Sequence, residues 1–187
     1  DPTQAASNWF CGESWAFPQN TPFRLFKHYN HEGGIATPLV AHWPSGITAK
    51  NELSHQPGHL IDIMATCADV GGASYPKEHN GHAITPMEGM SLRPILVSPK
   101  ESVQNSRSLY WEHEGNAAIR VGDMKLVRRG REGAWELYDL KADRTELHDL
   151  ATTQPEKAMA LAAQWEAWAE RAQVKPYPGN DNPGEGK

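Results

Sequence analysis

Residues 108–140 read SLYWEHEGNAAIRVGDMKLVRRGREGAWELYDL, and this stretch decides the fold of the second half of the chain. It contains four short runs with the composition of β-strands: Ser108–His113, Ala117–Val121, Met124–Arg128 and Trp135–Leu140. Turn signals that include glycine separate consecutive runs. Strands joined by such short turns pair with their neighbours along the chain. The sequence therefore predicts a small four-stranded antiparallel sheet.

A helix is predicted directly after this sheet. Its apolar residues recur at the spacing of one helix face, at positions Leu161, Trp165, Trp168 and Ala172. Thr153-Gln-Pro-Glu156 has the pattern of a capping box with proline in the first turn. Because the apolar stripe is wide enough to cover a small sheet, we expect residues 108–174 to form one C-terminal subdomain. Residues 175–187 hold three prolines and three glycines and are predicted to be a flexible tail.

The residues before the sheet contain fewer regular elements. Residues 34–43 predict a short strand buried on both faces, and residues 58–70 predict a helix. The apolar residues of that helix share one face: Leu60, Ile63, Met64, Cys67 and Val70. Residues 1–22 are predicted to be a loop, and residues 74–107 a proline-containing connection with one helical turn near Met90–Pro94. A lone buried strand needs neighbours, and this part of the chain offers few.

The composition of the chain is that of an ordinary folded protein. Of its 187 residues, 39% are hydrophobic and 22% are charged. The net charge of −5 offers no attraction for phosphate backbones, which disfavours nucleic acid as a partner. No apolar stretch reaches the length of about 18 residues that a membrane span needs. The two cysteines, Cys11 and Cys67, lack the spacing of a metal or redox motif and leave the compartment open.

The densest cluster of reactive side chains is Lys27-His-Tyr-Asn-His-Glu-Gly-Gly34. His28, His31 and Glu32 imitate a zinc-protease motif, but the order H-E-x-x-H is absent and no helical pattern flanks them. On composition alone, a solvated polar loop is the alternative. Lys27 supplies a compact cation with three hydrogen-bond donors, which suits a tetrahedral oxyanion such as sulfate or phosphate.

A second group of polar side chains, Glu112-His-Glu114, lies at the end of the first predicted strand. Alternation along a strand points Glu112 and Glu114 to one face of the sheet and His113 to the other. This alternation argues against a three-residue metal site. The sequence therefore indicates no metal ligand in this chain.

Further short segments follow Lys27 and His31-Glu-Gly-Gly-Ile35 in order along residues 20–174. They are Thr37-Pro38, Trp43-Pro44, Pro57-Gly-His-Leu-Ile-Asp-Ile-Met-Ala-Thr66, Glu88-Gly-Met-Ser-Leu-Arg-Pro94, Trp111-Glu-His-Glu-Gly115, Arg120-Val-Gly-Asp-Met-Lys-Leu-Val127, Trp135-Glu-Leu-Tyr-Asp-Leu140, Asp143-Arg-Thr-Glu146 and Asp149-Leu150. Taken together, these segments resemble the carboxy-terminal portion of sulfatases of the arylsulfatase type. The chain departs from the family pattern at Ala65, where proline is usual.

The resemblance implies a fold of the α/β or α+β class. Residues 1–107 would be the end of the sulfatase core domain, with its last strand and helix. Residues 108–174 would be the small antiparallel four-stranded sheet packed by a C-terminal helix. The partner of this piece would be the N-terminal sulfatase core. Without that core, the strand over residues 35–43 would keep an unpaired edge and invite self-association.

The resemblance also implies the chemistry of the intact protein, which is hydrolysis of sulfate esters within the alkaline phosphatase superfamily. It implies a Ca²⁺ or Mg²⁺ ion and a formylglycine nucleophile. Lys27 stands where the family places a lysine against the substrate sulfate, so it is predicted to be catalytic and substrate-binding. Neither Cys11 nor Cys67 lies in the C/S-x-P-x-R motif that yields formylglycine, and the family's paired aspartates are missing. This chain alone is therefore expected to hold neither cofactor and to be inactive.

Two alternatives stay open on the sequence. A phosphonate or phosphate monoester hydrolase of the same superfamily would use Lys27 equally well, because both oxyanions are tetrahedral and negative. A non-catalytic interaction module would need no nucleophile at all. For the intact protein, the resemblance implies a periplasmic or secreted location.

Overall fold

The computed structural model describes residues 12–99 and 107–174. These residues form two compact units. One, here called the sheet unit, contains residues 12–37 and 108–174, and the other, the helical unit, contains residues 38–99 and Arg107. Within the described ranges, no helix combines the length and the hydropathy needed to cross a membrane.

The elements follow one another in a fixed order along the chain. They are α1 (Glu13–Gln19), α2 (Glu32–Ile35), α3 (Asp62–Val70), β1 (Glu78–His79), β2 (His82–Ala83), α4 (Arg93–Val97), β3 (Ser108–His113), β4 (Asn116–Val121), β5 (Met124–Arg128), β6 (Glu136–Asp139) and α5 (Pro155–Arg171). The fold is therefore mixed α/β, as expected from the sequence.

The sheet unit is built on an antiparallel meander with the strand order β3-β4-β5-β6. Tight turns join β3 to β4 and β4 to β5, and the left-handed residues Glu114, Gly115 and Gly122 let the chain reverse there, whereas residues 129–135 join β5 to β6. Both faces of the sheet are buried, because alternate residues of one strand enter different core clusters: Ile119 lies in one and Ala118 in the other. The four-stranded sheet predicted from residues 108–140 is confirmed.

Helix α5 covers one face of this sheet. Leu161, Trp165 and Ala169 are buried against it, and the ring of Trp168 stacks on Tyr110 with centroids 5.0 Å apart. The predicted helix is thus confirmed, and so is its apolar stripe except at Ala172, which follows the last helical residue and is exposed. The predicted capping box is wrong: the helix begins without a side-chain cap, because the Thr153 hydroxyl donates to the carbonyl of Leu150 instead.

The opposite face of the sheet packs against the segment from Phe23 to Ala36. Asn30, His31 and Glu32 are buried there. Two glycines permit the close approach: a Cβ atom at Gly34 would overlap the carbonyl oxygen of Tyr29, and one at Gly33 would overlap two other carbonyls of the same segment. This segment therefore adds a third layer, of irregular backbone and one short helix, to the helix and sheet.

The strand predicted over residues 34–43 is wrong for this chain. Residues 32–35 form the single turn of α2, and residues 36–43 have no regular secondary structure. A strand exists only where a neighbour completes its hydrogen bonds, and no described strand pairs with these residues. Leu39 and Val40 are consequently 61% and 90% exposed.

The helical unit consists of α3, the β1–β2 hairpin and α4. Helix α3 confirms the helix predicted after residue 58, but its buried side is not the predicted one. Asp62 and Ala65 are buried, whereas the predicted apolar face is exposed, with Leu60 at 82% and Met64 at 57%. The segment before α4 contacts α3 at Asp62 and Thr66, whose side chains accept the amides of Met90 and Leu92.

Asp62 organises this unit through hydrogen bonds. Its carboxylate accepts the backbone amides of His59 and Met90, at 2.8 and 3.0 Å, and both terminal nitrogens of the Arg107 guanidinium. Burial raises the pKa of Asp62, but the Arg107 guanidinium and the two amides outweigh it and hold the pKa below its ordinary value. The segment around Met90 is thereby fixed to the start of α3.

The two compact units do not coincide with the predicted domains 1–107 and 108–174. Residues 12–37 lie with the sheet rather than with residues 38–99, because buried ion pairs, described below, hold them there. The domain division of the intact protein stays a prediction. The tail predicted over residues 175–187 and the first half of the predicted loop, residues 1–11, lie outside the described residues. In the second half of that loop the prediction is wrong, because residues 13–19 form α1.

Candidate functional site

A buried lysine fixes the segment that carries the predicted site. The ammonium of Lys125, on strand β5, lies 2.9 Å from the carboxylate of Glu32 and 2.8 Å from that of Glu146. All three side chains are at most 4% exposed. Glu146 also accepts the backbone amide of Glu32 at 2.8 Å, and Arg144 lies 3.6 Å from Glu32. Two cations thus balance two anions, which a buried ionic cluster requires.

A second polar cluster holds the residues on either side of Lys27. One terminal nitrogen of Arg24 donates to Glu136 at 3.2 Å, to the Tyr138 hydroxyl at 2.7 Å and to the carbonyl of Glu146 at 2.6 Å. The fully buried ring of His31 lies 3.2 Å from the same Glu136 carboxylate. Arg24 and His31 are therefore both anchored to strand β6, and the residues between them form a loop tethered at both ends.

Glu136 is the anion that both tethers share. The hydrogen bond from His31, together with those from Tyr138 and the charge of Arg24, outweighs burial and lowers the pKa of Glu136 to about 2. Conversely, burial and the neighbouring Glu136 raise the pKa of the Tyr138 hydroxyl. Glu136 is accordingly ionised and Tyr138 neutral at physiological pH, and the Tyr138 hydroxyl donates to Glu136 at 2.5 Å.

Lys27 lies at the tip of this tethered loop. Its side chain is exposed and makes no hydrogen bond or ion pair with any residue that the structure describes. Leu25 and His28, on either side, have left-handed backbone conformations with φ of 62° and 86°. Such conformations are uncommon for residues other than glycine and persist only where the surroundings impose them. The fold thus presents a cation to solvent on a well-anchored loop.

Three further side chains converge beside Lys27. The Nδ1 atom of His28 lies 3.0 Å from Nε2 of His113 and 2.9 Å from a carboxylate oxygen of Glu114, and the last two atoms are 4.0 Å apart. The two imidazole rings are stacked with centroids 5.1 Å apart. All three side chains are about half exposed or more. We refer to His28, His113 and Glu114 as the His-His-Glu cluster.

Sequence reasoning missed this cluster for two reasons. It grouped His28 with His31, whereas the structure places His31 in the core on Glu136. It also expected His113 and Glu114 to point in opposite directions, but β3 ends at His113, and Glu114 is one of two left-handed residues in the turn that follows. Glu112, which was predicted to share a face with Glu114, is not part of the cluster, and its carboxylate accepts the amide of Gly115 at 2.8 Å within the turn. The sequence does contain a signal for this arrangement. The Glu114-Gly115 turn ends the strand, so the alternation of side chains between the two faces of the sheet stops there.

Solved structures with this fold include the crystal structure titled Ps i-CgsB. It superposes with a TM-score of 0.65 at 24% identity, over 80% of this chain and 32% of that one. A second, from a study of glycosaminoglycan metabolism by Bacteroides thetaiotaomicron and labelled a 6S-sulf protein, gives a TM-score of 0.64 at 20% identity, again over 80% of this chain and 32% of that one. The described part of this chain therefore shares the fold of the corresponding part of these two proteins.

The chain matches the family described as N-sulphoglucosamine sulphohydrolase, C-terminal, over residues 23–173. It belongs to this family of sulfatase carboxy-terminal portions. Its relatives include an uncharacterised sulfatase of Schizosaccharomyces pombe, 29% identical over 84% of this chain, and a sulfatase of Formosa agariphila, 26% identical over 87% of it. Human N-acetylgalactosamine-6-sulfatase is 32% identical over 64% of the chain. The chain spans 29%, 34% and 21% of the lengths of these three relatives.

The residues described here do not suit the Ca²⁺ or Mg²⁺ ion that the resemblance implies for the intact protein. Those ions prefer oxygen ligands. Within residues 12–99 and 107–174, the group of three side chains that comes close enough to share an ion is the His-His-Glu cluster, in which two of three ligand atoms are imidazole nitrogens. No catalytic step is therefore assigned to such an ion in this chain.

Proposed function

We propose that this chain is the carboxy-terminal part of a sulfatase whose intact form hydrolyses sulfate esters, and that Lys27 binds the sulfate group. The observation that carries the proposal is the anchoring of the Lys27 loop. An exposed lysine without a partner among the described residues lies on a loop that is fixed at one end by the partly buried Arg24–Glu136 pair and at the other by the buried Glu32–Lys125 pair. An oxyanion site needs a cation that is already held near the developing negative charge, because moving it there during the reaction would cost free energy.

In this proposal Lys27 acts by charge and by hydrogen bonding. Its ammonium would pair with a sulfate oxygen of the ester and stabilise the negative charge that develops as the sulfur–oxygen bond breaks. Glu32 does not touch the substrate; it holds the loop through Lys125. The nucleophile, a formylglycine, and the Ca²⁺ or Mg²⁺ ion would come from the N-terminal core of the intact sulfatase, which would also be the main partner of this chain.

Replacing Lys27 by alanine in the intact sulfatase is expected to lower kcat/KM on an aryl sulfate by about 10²-fold or more, the scale for loss of one preorganised oxyanion donor. Steady-state kinetics would measure it, with Lys141→Ala as the matched control because Lys141 is an exposed lysine outside this loop. His28→Ala is expected to have a smaller effect than Lys27→Ala. Equal kcat/KM for the wild type and Lys27→Ala would show that Lys27 does not bind sulfate.

The 187-residue chain purified alone is expected to show no sulfatase activity, because neither cysteine lies in a motif that yields formylglycine. The assay would use an aryl sulfate with Ca²⁺, against a heat-treated sample as the control. Turnover that survives a second purification would contradict the proposed division of labour between this chain and the N-terminal core.

A further inference from the structure

We propose that the His-His-Glu cluster binds a divalent transition metal ion of the Zn²⁺ class, at a site formed by His28 of the Lys27 loop together with the end of β3 and the turn after it. The three ligand atoms are Nδ1 of His28, Nε2 of His113 and one carboxylate oxygen of Glu114, and they lie 2.9 to 4.0 Å from one another. In a tetrahedral zinc site with bonds of about 2.0–2.1 Å, ligand atoms lie roughly 3.3 Å apart. The observed separations bracket that value.

The contacts within the cluster are not satisfied by hydrogen bonds alone. In the plane of the His28 ring, Nδ1 carries either one lone pair or one proton. It nevertheless lies within 3.0 Å of two different atoms, which are themselves 4.0 Å apart. If Nδ1 carries a proton that points at Glu114, His113 Nε2 faces no free lone pair. If Nδ1 is unprotonated, its lone pair faces that of the carboxylate. A cation between the three atoms would turn each of these contacts into a bond.

The backbone around the cluster is fixed before any ion binds. The side-chain nitrogen Nδ2 of Asn116 donates to the backbone carbonyls of both His28 and His113, at 3.0 Å each. The side-chain oxygen of Asn116 accepts the backbone amide of Gly130 at 3.0 Å. Asn116 is 8% exposed. Its side chain thus ties a residue of the Lys27 loop to the end of β3. Hydrogen-bonded groups behind the ligands are what orients side chains in protein metal sites.

Two residues of the cluster have strained backbone conformations. His28 and Glu114 both have positive φ, at 86° and 53°. Non-glycine residues in this region cost free energy and persist where the fold imposes them, often at ligand sites. Two of the three cluster residues share this feature although they lie 86 positions apart in the sequence. Their meeting is therefore a product of the tertiary fold.

The donor set selects the class of ion. Two imidazoles and one carboxylate suit Zn²⁺ and its first-row neighbours, whereas Ca²⁺ and Mg²⁺ prefer oxygen ligands alone. Three protein ligands leave a fourth position for water or for another ligand. The exposure of the cluster leaves that position reachable from solvent.

The test uses the 187-residue chain with Cys11→Ser and Cys67→Ser, so that thiolates cannot bind the added metal. Zn²⁺ binding would be measured by competition with a chromophoric chelator, and Co²⁺ binding by its visible absorption. We expect one equivalent per chain. His28→Ala, His113→Ala and Glu114→Gln should each weaken binding by at least about tenfold, since even changes behind the ligands cost about 10–100-fold. Asn116→Ala should weaken it within that range.

The matched control is a second pair of exposed histidines. His79 and His82 face each other across the β1–β2 hairpin and are exposed. Replacing both by alanine should change the Zn²⁺ affinity by less than about twofold if the His-His-Glu cluster holds the ion. Zn²⁺ should also raise the thermal midpoint of the wild type but not that of His113→Ala, provided that circular dichroism shows both to be folded. Binding that survives His113→Ala, or that disappears only in the His79 and His82 variant, would overturn the proposal.

Discussion

Replacing Lys125 by alanine is expected to lower the free energy of unfolding of the sheet unit by about 3–5 kcal/mol, the cost of breaking a buried ion pair from one side. Lys125 is fully buried between Glu32 and Glu146. Removing its charge would leave two buried carboxylates without their shared ammonium, and the partly exposed Arg144 lies 3.6 Å from only one of the two, Glu32. Urea denaturation followed by circular dichroism would measure the loss.

A second variant separates charge from packing in this experiment. Lys125→Met keeps the aliphatic stem and loses only the ammonium, so it should be destabilised nearly as much as Lys125→Ala. Adding Glu32→Gln and Glu146→Gln to Lys125→Met removes the unpaired charges and should restore much of the stability, since apolar or neutral replacements of whole buried ionic clusters are often tolerated. Lys141→Ala, at an exposed lysine, should change stability by no more than about 0.5 kcal/mol. If Lys125→Met unfolded with the same free energy as the wild type, the ion pairs of Lys125 would not be what holds the Lys27 loop.

The elements that the sequence predicted correctly are those with local signals. Each strand of the meander is a short apolar run bounded by a turn, and α5 has a stripe at helical spacing that ends up buried at Leu161 and Trp165. These patterns arise from contacts between residues near one another in the chain, so neither needs knowledge of the rest of the fold. The sheet and α5 could be predicted from residues 108–174 alone.

The predictions that failed concern elements whose structure depends on residues distant in the sequence. Residues 34–43 have the composition of a buried strand, yet nothing in the described chain pairs with them. The apolar face of α3 was predicted from its spacing, but what covers a helix is decided by its neighbours. In both cases the pattern reports what the residues would bury, and the tertiary structure decides whether they do.

The candidate site divides in the same way. Lys27 was found through resemblance and through the chemistry of an ammonium, and its role stays a prediction. The buried position of Lys125 could not be predicted from strand alternation, because a lysine is buried only where an anion pairs with it. That anion is Glu32, which lies 93 positions away in the sequence. The His-His-Glu cluster joins residues 85 and 86 positions apart, which no spacing rule connects. Tertiary pairing of charges is thus the part of the site that local patterns do not encode.

Replacing Trp165 by alanine is expected to lower the free energy of unfolding of the sheet unit by about 3–5 kcal/mol, the range for removing a fully buried large aromatic side chain. Its ring is 0% exposed and packs edge-on against Trp135, with centroids 5.8 Å apart. Its indole nitrogen also donates to the carbonyl of Trp111 at 3.0 Å. The substitution would therefore open a cavity between α5 and the sheet and deprive a backbone carbonyl of its donor.

Hydrogen exchange on the 187-residue chain would measure this loss of stability amide by amide. In the wild type we expect residues 108–174 to be the most protected part of the chain, with the anchored segment around His31 and Glu32 protected along with them. Trp165→Ala should lower the protection of amides in β4 and β5 together, because these strands share the core that Trp165 fills. Trp15→Ala, at a side chain that is 67% exposed, should leave that protection within about 0.5 kcal/mol of the wild type. If α3 were more protected than β4 and β5 in the wild type, the sheet unit would not be the stable core of this chain, and the Lys27 loop would lack the rigid support that an oxyanion site requires.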